Sequence, residues 1–288
     1  MGAGRCGRGT PASGVRPLSA RTVRSADGTP IAVFTSGNPA GPPLVLVHGT
    51  TADHTAFRAI EPLLGERFAI HAIDRRGRGA SGDGPTYTIE REFEDVAAVA
   101  DALAADRGRP IAVVGHSYGG RCALGAALLT PRVGRLVVYE GAPEPPGATY
   151  DPPGFADRFE ALMAAGRPAD ALEAFFRDVI GMDDLELAAY RDNPVWPVRV
   201  AAAGTILREM TAAGSAAAGL DALGAVACPV LQVLGGESRD VFRAAVEALD
   251  ARLPNGRIGV VPGAAHAAHH THPAAFVDAV SSFVLHAT

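Results

Sequence analysis

The stretch Val113-Val114-Gly115-His116-Ser117-Tyr118-Gly119-Gly120, VVGHSYGG, sets a serine between glycines directly after a β-branched run. RPIAVVGHS reads as a short apolar strand, and YGGRCALGAALLT as the helix that follows it. Gly115-x-Ser117-x-Gly119 is then a sharp strand-to-helix turn. Such a turn lifts the serine Oγ above the sheet. Glycines two places to either side let neighbouring backbone approach without a Cβ clash. The helix aims its free N–H groups and positive dipole end at the serine, which favours a developing oxyanion. Ser117 is the candidate nucleophile.

Apolar runs alternate with helical patterns on both sides of this turn. TPIAVFTSG, PPLVLVHG and FAIHAIDRRG precede it as strands, and GRLVVYEG, CPVLQVLGG and GRIGVVPG follow it. Ile89, Phe93, Val96, Ala100 and Leu103 recur at helical spacing, and RDVFRAAVEALDARL and PAAFVDAVSSFVLH read as later helices. Short continuous apolar strands separated by helices predict a mostly parallel sheet covered on both faces. The runs near 21–25 and 29–36 are joined by ADG, a hairpin signal, so the sheet is expected to open antiparallel.

From about Gly141 to Leu223 the alternation stops. A proline-rich segment, APEPPGATYDPPG, leads into FADRFEALMAAG, PADALEAFFRDVIG and PVRVAAAGTILREMTAAG, all read as helices. Tyr150, Phe155, Phe159, Phe175, Phe176, Tyr190 and Trp196 concentrate here with Met163, Met182 and Met210. They either form a small core of the insert or face a pocket between insert and sheet. Phe155, Met163, Phe176, Trp196 and Met210 are the pocket candidates. The expected organisation is a disordered tail over 1–20, a core over 21–140 and 224–288, and a helical cap over 141–223.

Composition excludes several chemistries. The chain has 288 residues, 48% of them hydrophobic, and a net charge of −5. No global field favours nucleic acid or an anionic membrane. All 26 basic residues are arginine, which excludes lysine Schiff bases, a pyridoxal-phosphate anchor and a P-loop lysine. Cys6, Cys122 and Cys228 show no CxxC and no metal spacing, as expected of reduced thiols in a cytoplasmic protein. No apolar run reaches membrane-spanning length, and the N-terminal segment has no secretory apolar core.

The segments LVLVHGTT (44–51), IDRRGRGASG (73–82), VVGHSYGG (113–120), CPVLQVLGGE (228–237) and VVPGAAHAAHHTHP (260–273) complete a pattern. In this order they resemble an α/β-hydrolase with a serine nucleophile, over nearly all the chain after residue 20. The resemblance implies an α/β-hydrolase fold: an eight-stranded, mostly parallel sheet flanked by helices, with a helical cap inserted after strand six. It implies that His266, in the loop after the last strand, is the base a serine needs. His269 is an alternative base. His269, His270 and His272 crowd nearby, but no second ligand set has metal spacing, so no metal is expected. The resemblance also implies an oxyanion hole from the backbone N–H groups of Tyr118 and Thr50, with Thr51 as the alternate. His48 and Asp74 are expected to order loops.

The third triad member departs from the family pattern. In LGGESRD the usual acid position falls on Arg239, with Glu237 early and Asp240 late. Glu140 ends the strand RLVVYEG, and some α/β-hydrolases, the haloalkane dehalogenases among them, take their acid there. Glu140 is the expected acid and Asp240 the alternate. Its role is to fix the tautomer of His266 and stabilise its cation.

Serine narrows the reaction. Attack by serine on an alkyl carbon would leave an ether with no hydrolytic exit, so acyl transfer is expected. The expected substrate is an ester, lactone or thioester of a medium-to-large apolar small molecule, without cofactor. Alternatives are an acyltransferase, C–C hydrolase, lyase or haloperoxidase-like enzyme, or a slow-turnover ligand-binding protein. A monomer or homodimer is expected.

Overall fold

The continuous apolar runs become the buried strands of one sheet. In the computed structural model, which describes residues 16–286, they are β1 (Arg16–Arg24), β2 (Pro30–Gly37), β3 (Pro43–Val47), β4 (Ala69–Ile73), β5 (Ile111–His116), β6 (Val133–Tyr139), β7 (Val230–Gly235) and β8 (Gly256–Val261). Every residue of β3, β4 and β7 is buried, as strands covered on both faces must be. Their order is β1-β2-β4-β3-β5-β6-β7-β8. β2 runs antiparallel to β1 and β4, and the remaining neighbours are parallel. The ADG turn makes the opening hairpin, with Gly28 at φ 84. Residues 1–15 of the expected tail lie outside the described residues. Residues 16–20 are corrected to strand, because β1 pairs along β2 from Arg16 opposite Gly37.

Helices α1 (Glu61–Gly65), α2 (Ile89–Arg107) and α3 (Tyr118–Leu129) precede the insert. Within it lie α4 (Phe155–Ala164), α5 (Pro168–Ala174), α6 (Asp184–Arg191), α7 (Trp196–Ala201), α8 (Ile206–Ala213) and α9 (Leu220–Leu223). α10 (Asp240–Asp250), α11 (Ala268–Thr271) and α12 (Pro273–Leu285) follow. Phe93 and Val96 of α2, Leu124 of α3 and Phe242 and Val246 of α10 pack in one core. Leu64 of α1 and Phe276 and Val280 of α12 pack in a second. No described helix is long and apolar enough to cross a membrane.

The helical cap is inserted between β6 and β7 and has a core of its own, built on Phe155, Phe159, Leu172, Phe175, Leu187 and Ile206. Two expected helices break. PADALEAFFRDVIG passes from α5 into a π-helical turn, Phe175–Ile180, and PVRVAAAGTILREMTAAG splits into α7, a 3-10 turn and α8. α6 is a helix that the apolar pattern does not announce, although Asp183 and Glu186 cap it reciprocally. The cap is tied to the core by charge. Arg208 makes a bidentate pair with Asp83 at 2.7 and 2.9 Å. Glu209 of α8 pairs with Arg75 at 2.8 Å and with Arg78.

Candidate active site

Ser117 sits between β5 and α3 at φ 54, ψ −126, a conformation that side chains rarely adopt. The turn closes because its glycines admit backbone. A Cβ on Gly115 would stand 2.5 Å from Gly119 O, and one on Gly119 would run into the carbonyls of Val47 and His48. Among the described residues only Thr51, Ser117 and Glu140 combine a side chain with positive φ. All three are site candidates by their sequence position, and they follow three separate strands. Each such residue costs about 1–3 kcal/mol, and such strain clusters at functional sites.

Glu140 follows β6 and is buried. Its Oε2 lies 2.6 Å from Nδ1 of His266, which is buried too. Its Oε1 accepts from Gly235 N at 2.7 Å and Ser238 Oγ at 2.5 Å. The carboxylate is therefore held from both sides, and Nδ1 of His266 carries the proton when Glu140 is ionised. Nε2 of His266 is buried with no hydrogen-bond partner among the described residues. Phe242 stacks on the ring at 4.5 Å between centroids. The His loop is fixed from below: His116 Nε2 donates to His266 O at 2.9 Å, and the Tyr139 hydroxyl accepts from Ala268 N and donates to Ala265 O.

Asp240 is placed elsewhere. It is exposed in the first turn of α10, and Glu140 holds the His266 Nδ1 in its stead. Arg239, at the usual acid position, donates from Nη1 to the cap carbonyls of Tyr150 (3.0 Å), Asp178 (3.2 Å) and Val179. His269 is buried beside His116 and lacks a carboxylate partner for its free Nδ1. Burial, with help from neighbouring cationic groups, holds both His116 and His269 neutral well below the usual imidazole range.

Tyr118 opens α3, and Thr50 stands on the cavity wall with Ser117. Thr51 is fully buried behind it. His48 accepts from Arg75 N through Nε2 at 3.0 Å and lies 2.8 Å from Gly49 O through Nδ1, which ties two loops together. Asp74 accepts from His54 N and Ala80 N at 2.8 and 2.7 Å, as a loop-organising carboxylate does.

Two lobes meet at Ser117, both bordered by Thr50, Phe175 and Ile180. The larger, about 170 Å³, is lined by Tyr150, Val179, Met210 and Phe242 among others. The smaller, about 50 Å³, is lined by Phe176, Met182, Tyr190, Arg199 and several histidines. Of the pocket candidates, Met210 and Phe176 line these lobes. Phe155, Met163 and Trp196 are corrected. Phe155 is 1% exposed inside the cap core, and Met163 and Trp196 border a separate hollow lined by cap residues. Arg199, Phe242 and Ser238 join the site without a signal of their own in the sequence. Only the arginine at the usual acid position hints that this corner is rebuilt.

Among the described residues, no group of three His, Cys, Asp or Glu side chains is arranged to hold a metal ion.

Comparison with known proteins agrees with this architecture. A family model described as the alpha/beta hydrolase family matches residues 44–279. The probable oxidoreductase EphD of Mycobacterium tuberculosis is 41% identical over 102 residues, which is 34% of this chain and 17% of that protein. The chain therefore spans under a fifth of that relative's length. The 2-(acetamidomethylene)succinate hydrolase of Mesorhizobium japonicum is 28% identical over 85% of this chain and 88% of that protein. The crystal structure of an alpha/beta hydrolase from Sphaerobacter thermophilus superposes with a TM-score of 0.74 at 32% identity, covering 90% of this chain and all of the other.

Proposed function

The chain belongs to the alpha/beta hydrolase family, and from that membership we propose that it is a serine hydrolase cleaving an ester of an apolar small molecule. Ser117 Oγ attacks the acyl carbon while Nε2 of His266 takes its proton. Glu140, on Nδ1, holds the productive tautomer and stabilises the imidazolium. The backbone N–H groups of Thr50 and Tyr118 receive the oxyanion. His266 then returns its proton to the leaving oxygen, which departs as an alcohol. Water, deprotonated by His266, attacks the acyl-Ser117 ester; the tetrahedral adduct collapses to a carboxylic acid and free serine.

One observation carries the reading: the buried 2.6 Å pair of His266 and Glu140, with the opposite nitrogen of the ring left open and His266 lining the same lobe as the strained serine. The open nitrogen is consistent with a base whose bond to the nucleophile tightens only with substrate in place. The walls of the larger lobe, with Val179, Met210 and Phe242, suit an apolar acyl or alkoxy group. The relative named as a hydrolase along most of its length supports hydrolysis over transfer. Treatment with a fluorophosphonate tests the reading. A covalent adduct mapped to Ser117, absent in Ser117→Ala, is the expected result. An intact protein that takes no label would remove the acyl-serine mechanism.

A further inference from the structure

The two lobes differ in charge. Four carboxylates, Glu140, Glu144, Asp151 and Glu209, and one guanidinium, Arg121, border the larger one. No aspartate or glutamate lines the smaller one; its one formal charge is Arg199, from the cap. Arg199 donates to Thr50 O at 2.9 Å and Thr51 Oγ1 at 3.2 Å, both neutral oxygens and both from Nη1. Those are its hydrogen bonds among the described residues, and it lines the smaller lobe with no carboxylate partner of its own. Two further polar atoms wait there without partners: Nδ1 of His269, in a residue 2% exposed, and Nε2 of His270. Buried polar atoms left unpaired in a cavity wall are costly unless a ligand satisfies them.

We propose that the smaller lobe binds a carboxylate carried by the substrate, with Arg199 as its counter-charge and His269 and His270 as neutral hydrogen-bonding partners. This rests on the reading of Ser117 as the nucleophile and adds a substrate class to it: a hemi-ester, in which a free carboxylate lies a few bonds from the scissile acyl group. The lobe's size, about 50 Å³, suits a carboxylate and little more. A single guanidinium balances one negative charge, and a phosphate dianion would keep the second unpaired. Glu144 and Asp151, which have no cationic side-chain partner among the described residues, disfavour the same group in the larger lobe. The carboxylate is thereby steered to one side of Ser117, and the apolar remainder to the other.

The test compares monomethyl glutarate with dimethyl glutarate, which differ in that charge. In the wild-type protein kcat/KM for the hemi-ester is expected to exceed that for the diester by about 10- to 100-fold, the range of a buried charge-assisted contact. Arg199→Gln should bring this ratio close to one, and Arg199→Lys should restore part of it. Equal losses on both esters would mean that Arg199 only steadies the Thr50 loop, and would overturn the inference. Should Arg199→Gln not fold, competition in the wild-type protein decides: glutarate should inhibit at least tenfold more strongly than 1,5-pentanediol. Inorganic phosphate inhibiting as strongly as glutarate would overturn the carboxylate class. If neither ester turns over and a fluorophosphonate leaves Ser117 unlabelled, the hydrolase reading fails separately. Calorimetry with glutarate on wild type and Arg199→Lys still tests the lobe; no heat of binding to the wild type overturns it.

Discussion

Glu140 illustrates what one residue's position can and cannot reveal. Its place at the end of a strand, RLVVYEG, makes it legible as the expected acid, yet Asp240, one place past the usual position, stays open as the alternate. Sequence position alone does not decide between them, because the choice depends on which carboxylate reaches Nδ1 across the ends of the strands. The structure puts Glu140 there, with Gly235 N and Ser238 Oγ on its other oxygen. Glu140→Gln is expected to lower kcat by about 10³- to 10⁴-fold, since the amide keeps the shape and loses the charge that fixes the imidazole tautomer. Asp240→Asn, at an exposed helix start, should leave kcat within about twofold. Steady-state kinetics on one chromogenic ester gives both numbers, and the reverse ranking would dismiss Glu140. Gly119→Ala belongs to the same scale: the added methyl meets the Val47 and His48 carbonyls, so the variant should lose both labelling and turnover.

At the scale of elements, the strands are legible and the cap only partly so. A buried parallel strand is apolar throughout, so β3, β4 and β7 announce themselves. A cap helix divides its apolar residues between its own core and the cavity, and composition is blind to that division. Phe155 and Phe176 look alike in sequence and both join the cap core, yet Phe176 also lines the smaller lobe and Phe155 lines neither. What fastens the cap is also hidden, because it is ionic and long-range. Glu209 on α8 meets Arg75 and Arg78, all three buried, while Arg208 and Asp83 pair at the surface. Glu209→Ala strands the buried Arg78 guanidinium and takes one of two carboxylates from Arg75, which keeps Glu92, and is expected to destabilise the fold by about 3 kcal/mol. Asp83→Ala breaks only the exposed pair and should cost at most about 1 kcal/mol. Urea unfolding of the two variants checks the contrast; equal costs would mean that the buried cluster does not hold the cap.

Over the whole molecule, the mostly parallel sheet, its antiparallel opening and the cap's position follow from alternating apolar runs, one hairpin signal and one long interruption. The protonation balance of the fold does not, because it depends on burial. Burial holds His48, His71, His116, His269 and His270 neutral, with His71 and His270 brought down to about 4. Unfolded, each takes a proton near pH 6.5. Between about pH 6.5 and 4 the unfolded chain therefore binds more protons, so stability rises with pH and is lost as acid is added. Each such histidine adds up to about 1.4 kcal/mol per pH unit. His54 opposes them: burial disfavours its cation, but Asp74 at 2.8 Å raises its pKa overall, a contribution lost as pH climbs through that raised value. Urea unfolding should show a loss of more than about 2 kcal/mol between pH 7 and 5; a flat profile would contradict the neutral histidines. Sheet and cap meet at Ser117. The most direct measurement is rapid-quench mass spectrometry during turnover of a p-nitrophenyl ester. The account predicts a burst of p-nitrophenol with an acyl group on the peptide containing Ser117, and neither burst nor adduct in Ser117→Ala. Wild-type turnover that persists in Ser117→Ala, or an acyl group carried elsewhere, would contradict it.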